Sequence, residues 1–271
     1  MRFPTKSDTC NAFDATAFAA ALGRQLFGFG STQCRVVWSC PVLEEDIALA
    51  NHSLDLIGQS RLLYQYAAEL IGKAETEDSL AYFRDAPAFR NFTMLELPHH
   101  GPLAPSGSSQ RDFATTLVRN FLYSAWALGT WSSLEKCHDA QLAAIAAKAV
   151  KETIYHWQYA QDWVIRMGDG TAESQRRAQA ALEHLMPYTQ EFWMPLAHAE
   201  AAQNVGVALS DAQVQSEWSS LIEAVLQQAC LKRPPDGGFV PSGNHGIHSE
   251  HLTYLLGEMQ SLARAHPKAV W

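Results

Sequence analysis

Glu152 and His156 lie one helical turn apart in "AVKETIYHWQYAQDWVIRM", residues 149–167. A carboxylate and an imidazole at this spacing are the raw material of a metal site, or of a buried hydrogen-bonding pair. At 100° per residue, Ile145, Ala149, Glu152, His156, Ala160, Trp163 and Met167 fall within one arc of about 80°. The pair therefore runs along a mostly apolar seam, toward one edge of it. A second polar row stands upstream, where Asn51, Asp55 and Gln59 are spaced by four and share an arc with Ala48, Leu62 and Tyr66. Unpaired charge in a core costs several kcal/mol, so each carboxylate needs a partner.

Di-iron bundles take a Glu from each of two helices and a Glu-x-x-His from each of two others. Here Tyr155 stands where the His after Glu152 would be, and Gly58 stands at the matching place after Asp55. Glu96–His99 has the right spacing but contains Pro98 and falls in a loop. Glu135–His138 falls at a helix end. Between Asp112 and Glu135 the chain offers no carboxylate at all. The simplest reading is a hydrogen-bonding network in which Asp55, Glu152 and His156 satisfy one another across neighbouring helices. A catalytic site using those three plus a further ligand stays open as the alternative.

A separate cluster, His245, His248, Glu250 and His251, sits in "GNHGIHSEHL". His248-x-x-His251 at a helix start has ligand chemistry for a metal such as Zn²⁺, but it is not the His-Glu-x-x-His of zinc proteases. The alternative is a loop-to-helix junction. There Glu250 favours the helix N-terminus, and a histidine bonds backbone carbonyls. No phosphate-binding glycine loop and no nucleophile elbow occur. No catalytic residue is assigned.

Helices must position these groups. Pro41 reads as a first-turn proline, with Glu44, Glu45 and Asp46 at the positive end of the dipole. The pattern then continues to Gly72, about 45 Å of helix. Residues 14–27 form an earlier helix, and 28–40 are ambiguous between helix and strand. Short pieces occupy 74–95. Long helices run from about Arg111 to Lys136, from Asp139 to the glycines at 168–170, and from Thr171 to Pro187. Ser210 and Gln213 have capping-box spacing for a helix to about Leu231, and 249–265 form the last one. The fold expected is all-α, a ferritin-like helical bundle with additional helices, one domain over 1–271.

Composition narrows the function. The 271 residues are 47% hydrophobic with a net charge of −8, enough for a sizeable core and without the basic blocks that nucleic acid binding needs. No run of 18 apolar residues could span a membrane. "MRFPTKSDTC" lacks a signal-peptide core, so the cytoplasm is the expected location. The five cysteines are scattered without a C-x-x-C and read as buried free thiols. The eight tryptophans lie at helical spacing and read as core or interface anchors.

Five blocks in order, "PVLEEDIALANHSLDLIGQSRLLYQYAAEL", "DSLAYFRDAPAFRNFTMLELP", "DFATTLVRNFLYSAW", "QLAAIAAKAVKETIYH" and "GIHSEHLTYLLGEMQ", resemble one family. It is the family of C subunits of bacterial phenylacetyl-CoA ring-1,2-epoxidases, also called phenylacetate-CoA oxygenases. The likeness spans about residue 41 to the C-terminus and implies a helix for 28–40. It implies a ferritin-like structural subunit of a multicomponent monooxygenase, without a cofactor of its own. Its partner is a homologous A subunit that carries the di-iron centre, beside other oxygenase subunits. A reductase supplies electrons from NADPH through flavin and an iron–sulfur cluster. Without its partner, a homodimer is the state to look for. Ser124 and Ala127 stand where the family commonly has Asp and His, and Arg35 where an acidic residue is usual. The resemblance is thus to a somewhat divergent member. A catalytic oxygenase in its own right and an acyl-CoA-presenting subunit remain as alternatives.

Overall fold

The computed structural model describes residue 23 and residues 30–33, 40–72, 75–105, 111–194, 212–235, 240–267 and 269. All its regular elements are helices. Among the described residues the only β pairing is an isolated bridge between Ser242 and Ile247. Residues 30–33 are helical, as the resemblance implies for that stretch. The helix expected over 14–27 lies outside the described residues apart from Gly23.

Helix α1 spans Leu43–Ile71, with Val42 as its N-cap. Pro41 therefore stands before the cap rather than in the first turn, a correction by two residues. The first turn still holds Glu44, Glu45 and Asp46, which favour the dipole's positive end. Gly72 ends the helix at φ +66°, a conformation that a side chain would resist. Short helices follow: α2 (Glu77–Tyr82), a 3₁₀ turn at Ala86–Ala88, and α3 (Thr93–Glu96).

The long central helices have side-chain caps. Asp112 accepts from the Ala114 N–H to start α4 (Phe113–Leu134). Asp139 accepts from Gln141 and Leu142 to start α5 (Ala140–Gly168). Thr171 and Ser174 form a reciprocal capping box for α6 (Ala172–Leu185). Pro187, which has no N–H, follows its end, and the chain tightens into a 3₁₀ segment over Met186–Trp193. Helices α7 (Ala212–Gln228) and α8 (Glu250–Ala265) complete the set. Ser210, expected to cap α7, lies outside the described residues.

Helix α4 is the axis of the molecule, with nearly every residue from Ala114 to Ala127 buried. It packs most extensively on α5 and then on α6 and α7, while α1 packs along α5. Trp126, Trp131, Trp157 and Trp218 lie in the core, and Trp126 meets Phe92 edge-on at 4.8 Å. Helix α8 lies at the edge of this core, which its half-buried Met259 reaches. Its buried Leu252, Leu255 and Leu256 pack with Phe89 as a satellite. Cys40 and Cys137 are half-buried thiols, but Cys230 is exposed, against the expectation of burial. Cys10 and Cys34 lie outside the described residues. Among those residues no helix is long and apolar enough to cross a membrane.

Candidate functional site

Helices α1 and α5 run antiparallel, and polar rungs cross between them. Tyr159 donates to Glu45 near the start of α1. His156 Nε2 lies 3.0 Å from Asp55 Oδ2. Gln59 Nε2 donates to Glu152 Oε2 at 2.9 Å. Tyr66 donates to Asp139 near the far end. The expected network therefore exists but is split. Asp55 and His156 meet directly, whereas Glu152 is paired with Gln59 and stands 3.7 Å from Lys148.

Burial along this seam is graded. Asn51 is exposed and makes no rung, which removes it from the expected site. The Asp55 side chain is 37% exposed, while His156 is at 6%. Glu152 is 23% exposed, and Gln59 is buried. The carboxylates sit at the rim and do not point toward one buried centre.

The centre is built from other residues. A small internal cavity lies where residues 30–33, α1, α4 and α5 converge. Gln33, His52, Asn120, Ser124, Thr153 and His156 supply its polar walls. His52 is 1% exposed, and its ring lies 4.2 Å from that of His156 and 4.8 Å from that of Tyr159. Burial, and then the neighbouring His156, holds its pKa down at about 2, so the imidazole stays neutral. Gln33 Nε2 donates to Asn120 Oδ1. Gln33 Oε1, Asn120 Nδ2 and His52 Nε2 are buried without a protein partner.

Ser124 and Ala127, where the resemblance leads one to expect Asp and His, both line this cavity. Arg35 lies outside the described residues. Two histidines among amides and hydroxyls do not fit a di-iron centre, which also needs a carboxylate from each of four helices, and no carboxylate lines this cavity. Among the described residues no three His, Cys, Asp or Glu side chains converge as metal ligands.

The spaced pairs elsewhere also diverge. Glu135 and His138 are exposed. Glu96 and His99 are both buried, but they face different partners. His99 bonds the Thr116 hydroxyl at 2.8 Å and the Thr32 carbonyl at 3.1 Å. Buried Arg119 lies against it, donating to the Pro98 carbonyl, and burial lowers the guanidinium pKa to about 9. Glu96 turns toward the C-terminal junction instead. It meets His248 Nδ1 at 2.6 Å and accepts from both the N–H and the hydroxyl of Ser249 at 3.0 Å. His248 Nε2 reaches the Phe89 carbonyl at 3.2 Å.

The junction reading thus holds for His248, and Glu250 opens α8 as expected. His245 is exposed and His251 half-buried, and they add no ligand to it. A further carboxylate, one that sequence reasoning misses, completes the junction. Glu191 is buried and accepts from the N–H groups of Thr93 and Asn244, each at 2.7 Å. Burial pushes its pKa up to about 7, against those two hydrogen bonds. Nothing near Glu191 in the sequence marks it, because both donors are backbone groups far along the chain. His52 does carry a signal. It sits four residues before Leu56, on the apolar stripe of α1 rather than beside it.

The family described as phenylacetic acid catabolic protein matches residues 16–271. The chain is also similar to the C subunit of the 1,2-phenylacetyl-CoA epoxidase of Escherichia coli K12. The two are 34% identical over 256 residues, which cover 94% of this chain and 98% of the relative.

Proposed function

The chain belongs to the phenylacetic acid catabolic protein family, whose ferritin-like helical fold it has, and on that premise we propose that it is a non-catalytic structural subunit of a multicomponent phenylacetyl-CoA ring epoxidase. It acts in the cytoplasm, as one domain, paired with a homologous A subunit. That partner holds the di-iron centre, and a reductase with flavin and an iron–sulfur cluster feeds it electrons.

The observation that carries this reading is the donor set at the bundle centre. Four helical segments converge there, yet they present Gln33, His52, Asn120, Ser124, Thr153 and His156. The carboxylates that approach, Asp55 and Glu152, are held at the α1–α5 rim by His156 and Gln59. The polar groups that remain join helices, and that is the work of a scaffold.

The test is co-expression with the homologous catalytic chain. The two should elute as one complex, and turnover of phenylacetyl-CoA should require both. The isolated chain should carry far less than one iron. Two irons per isolated chain together with O₂-dependent turnover would make it an oxygenase in its own right. Elution as separate species, with full activity in the partner alone, would remove the scaffold role.

A further inference from the structure

The central cavity has a volume of about 10 Å³. That is about one water-sized sphere, the smallest space in which a buried water is held. Three polar atoms on its walls lack protein partners: Gln33 Oε1, Asn120 Nδ2 and His52 Nε2. Their residues are 2%, 2% and 1% exposed, so bulk solvent does not reach them. Leaving three buried polar atoms unpaired is costly, and native interiors rarely do so.

Their chemistry is complementary to one molecule. Gln33 Oε1 accepts, Asn120 Nδ2 donates, and the nitrogen of a neutral imidazole does either according to its tautomer. This balance does not depend on how the amides are assigned. Exchanging O and N in both side chains reverses the Gln33–Asn120 bond but still leaves one donor and one acceptor. A metal cation is unsuited to the same place, because an amide N–H₂ group faces it. An anion would meet the acceptor oxygen of Gln33. A neutral molecule with two donors and two acceptors satisfies all three atoms.

We infer that the centre of the bundle is a structural water site, in which one ordered water bridges Gln33 of the helical residues 30–33, His52 on α1 and Asn120 on α4. The water donates to Gln33 Oε1, accepts from Asn120 Nδ2 and takes the complementary role toward His52 Nε2. It ties His52 on α1 to the directly bonded Gln33–Asn120 pair, with the hydroxyls of Ser124 and Thr153 on the same walls.

The experiment is a crystal structure of the full chain at about 1.5 Å, with anomalous data collected at the iron and zinc edges. A water peak is expected at about 2.7–3.2 Å from all three atoms, without anomalous signal. Two results would overturn the water site alone. One is an empty cavity. The other is Gln33 and Asn120 rotated into a reciprocal amide pair that fills it. An anomalous peak at this position would overturn the water site and the non-catalytic reading together.

Discussion

Glu152 and Gln59 form a rung with unequal members. Gln59 is buried and Glu152 is 23% exposed, so removing the carboxylate strands the amide rather than the reverse. Glu152→Gln keeps an acceptor oxygen opposite Gln59 and should cost less than about 1 kcal/mol. Glu152→Leu leaves the Gln59 N–H₂ group unpaired and should cost about 1–3 kcal/mol. Urea unfolding of the two variants measures the difference, and equal, negligible losses would place Glu152 outside the network. His52 gives a pH-dependent counterpart. It titrates at 6.5 in the unfolded chain and at about 2 in the fold, so between those values the unfolded state holds the extra proton. Its contribution to stability is complete above pH 6.5 and is lost on acidification, at up to about 1.4 kcal/mol per pH unit. Glu191 works the opposite way. Its pKa rises from 4.5 to about 7, so its contribution is complete below pH 4.5 and is lost as pH rises through 7. The two slopes offset each other in wild type between pH 5 and 6.5. A His52→Leu variant should therefore become more stable relative to wild type as pH falls across that range. A constant difference between the two unfolding curves would show that His52 is not buried in neutral form.

At the scale of elements, the α1–α5 seam shows what a spacing rule conveys and where it stops. Residues four apart on a helix share a face only approximately, because each step of four advances about 40°. Along Asn51, Asp55 and Gln59 the drift totals about 80°, and the row crosses from solvent into the core. Asn51 is exposed, Asp55 half-buried and Gln59 buried, in that order. The sequence shows the row, but the position of α5 decides which member is inside, and that is a tertiary fact. The same drift carries His52 onto the inner stripe beside Leu49 and Leu56. The caps are local and therefore legible at Asp139 and Thr171, which accept from the N–H groups of their own helices, and Asp112 does the same one residue past the start expected at Arg111. The C-terminal junction is half legible. His248 stands out as one of several clustered histidines, while its partner Glu96 lies 152 residues away. That junction also makes α8 separable from the bundle, since its buried leucines form their own cluster with Phe89 and only Met259 reaches the main core. Glu191→Gln would turn one acceptor into a donor facing the N–H of Thr93 or Asn244. Hydrogen exchange should then speed up about 10-fold or more through 243–265, while α4 and α5 keep wild-type protection. Uniform acceleration over all helices would mean that the junction and the bundle unfold as one unit.

For the whole molecule, the side chains at the bundle centre decide whether it can take a metal. The all-α fold follows from helical periodicity over most of the chain, and the sequence alone implies it. The composition of the bundle centre is less accessible, because its walls come from four segments between Gln33 and His156. Of these wall residues, His156 stands out by its spacing from Glu152, and Ser124 and Ala127 only through the family pattern. Ser124 and Ala127 face the cavity, which invites the double change Ser124→Asp and Ala127→His. That change places on α4 the two metal-ligand side chains that the resemblance leads one to expect there. A working pair of metals also needs carboxylates from the facing helices. Here Asp55 is bonded to His156 and Glu152 to Gln59 along the rim. Turning either inward would break a rung and bring a charge into a cavity whose walls carry no Asp, Glu, Lys or Arg. The carboxylate introduced at position 124 would itself be buried beside Asn120 and Thr153 without a cation. The double variant should therefore bind less than about 0.2 iron per chain on reconstitution under argon, read by elemental analysis. It should also unfold at about 2–4 kcal/mol lower stability, as expected for an uncompensated buried carboxylate. Iron uptake near two per chain with recovered stability would show instead that the rim carboxylates swing inward once a metal is offered, and that residues 124 and 127 alone keep metal out.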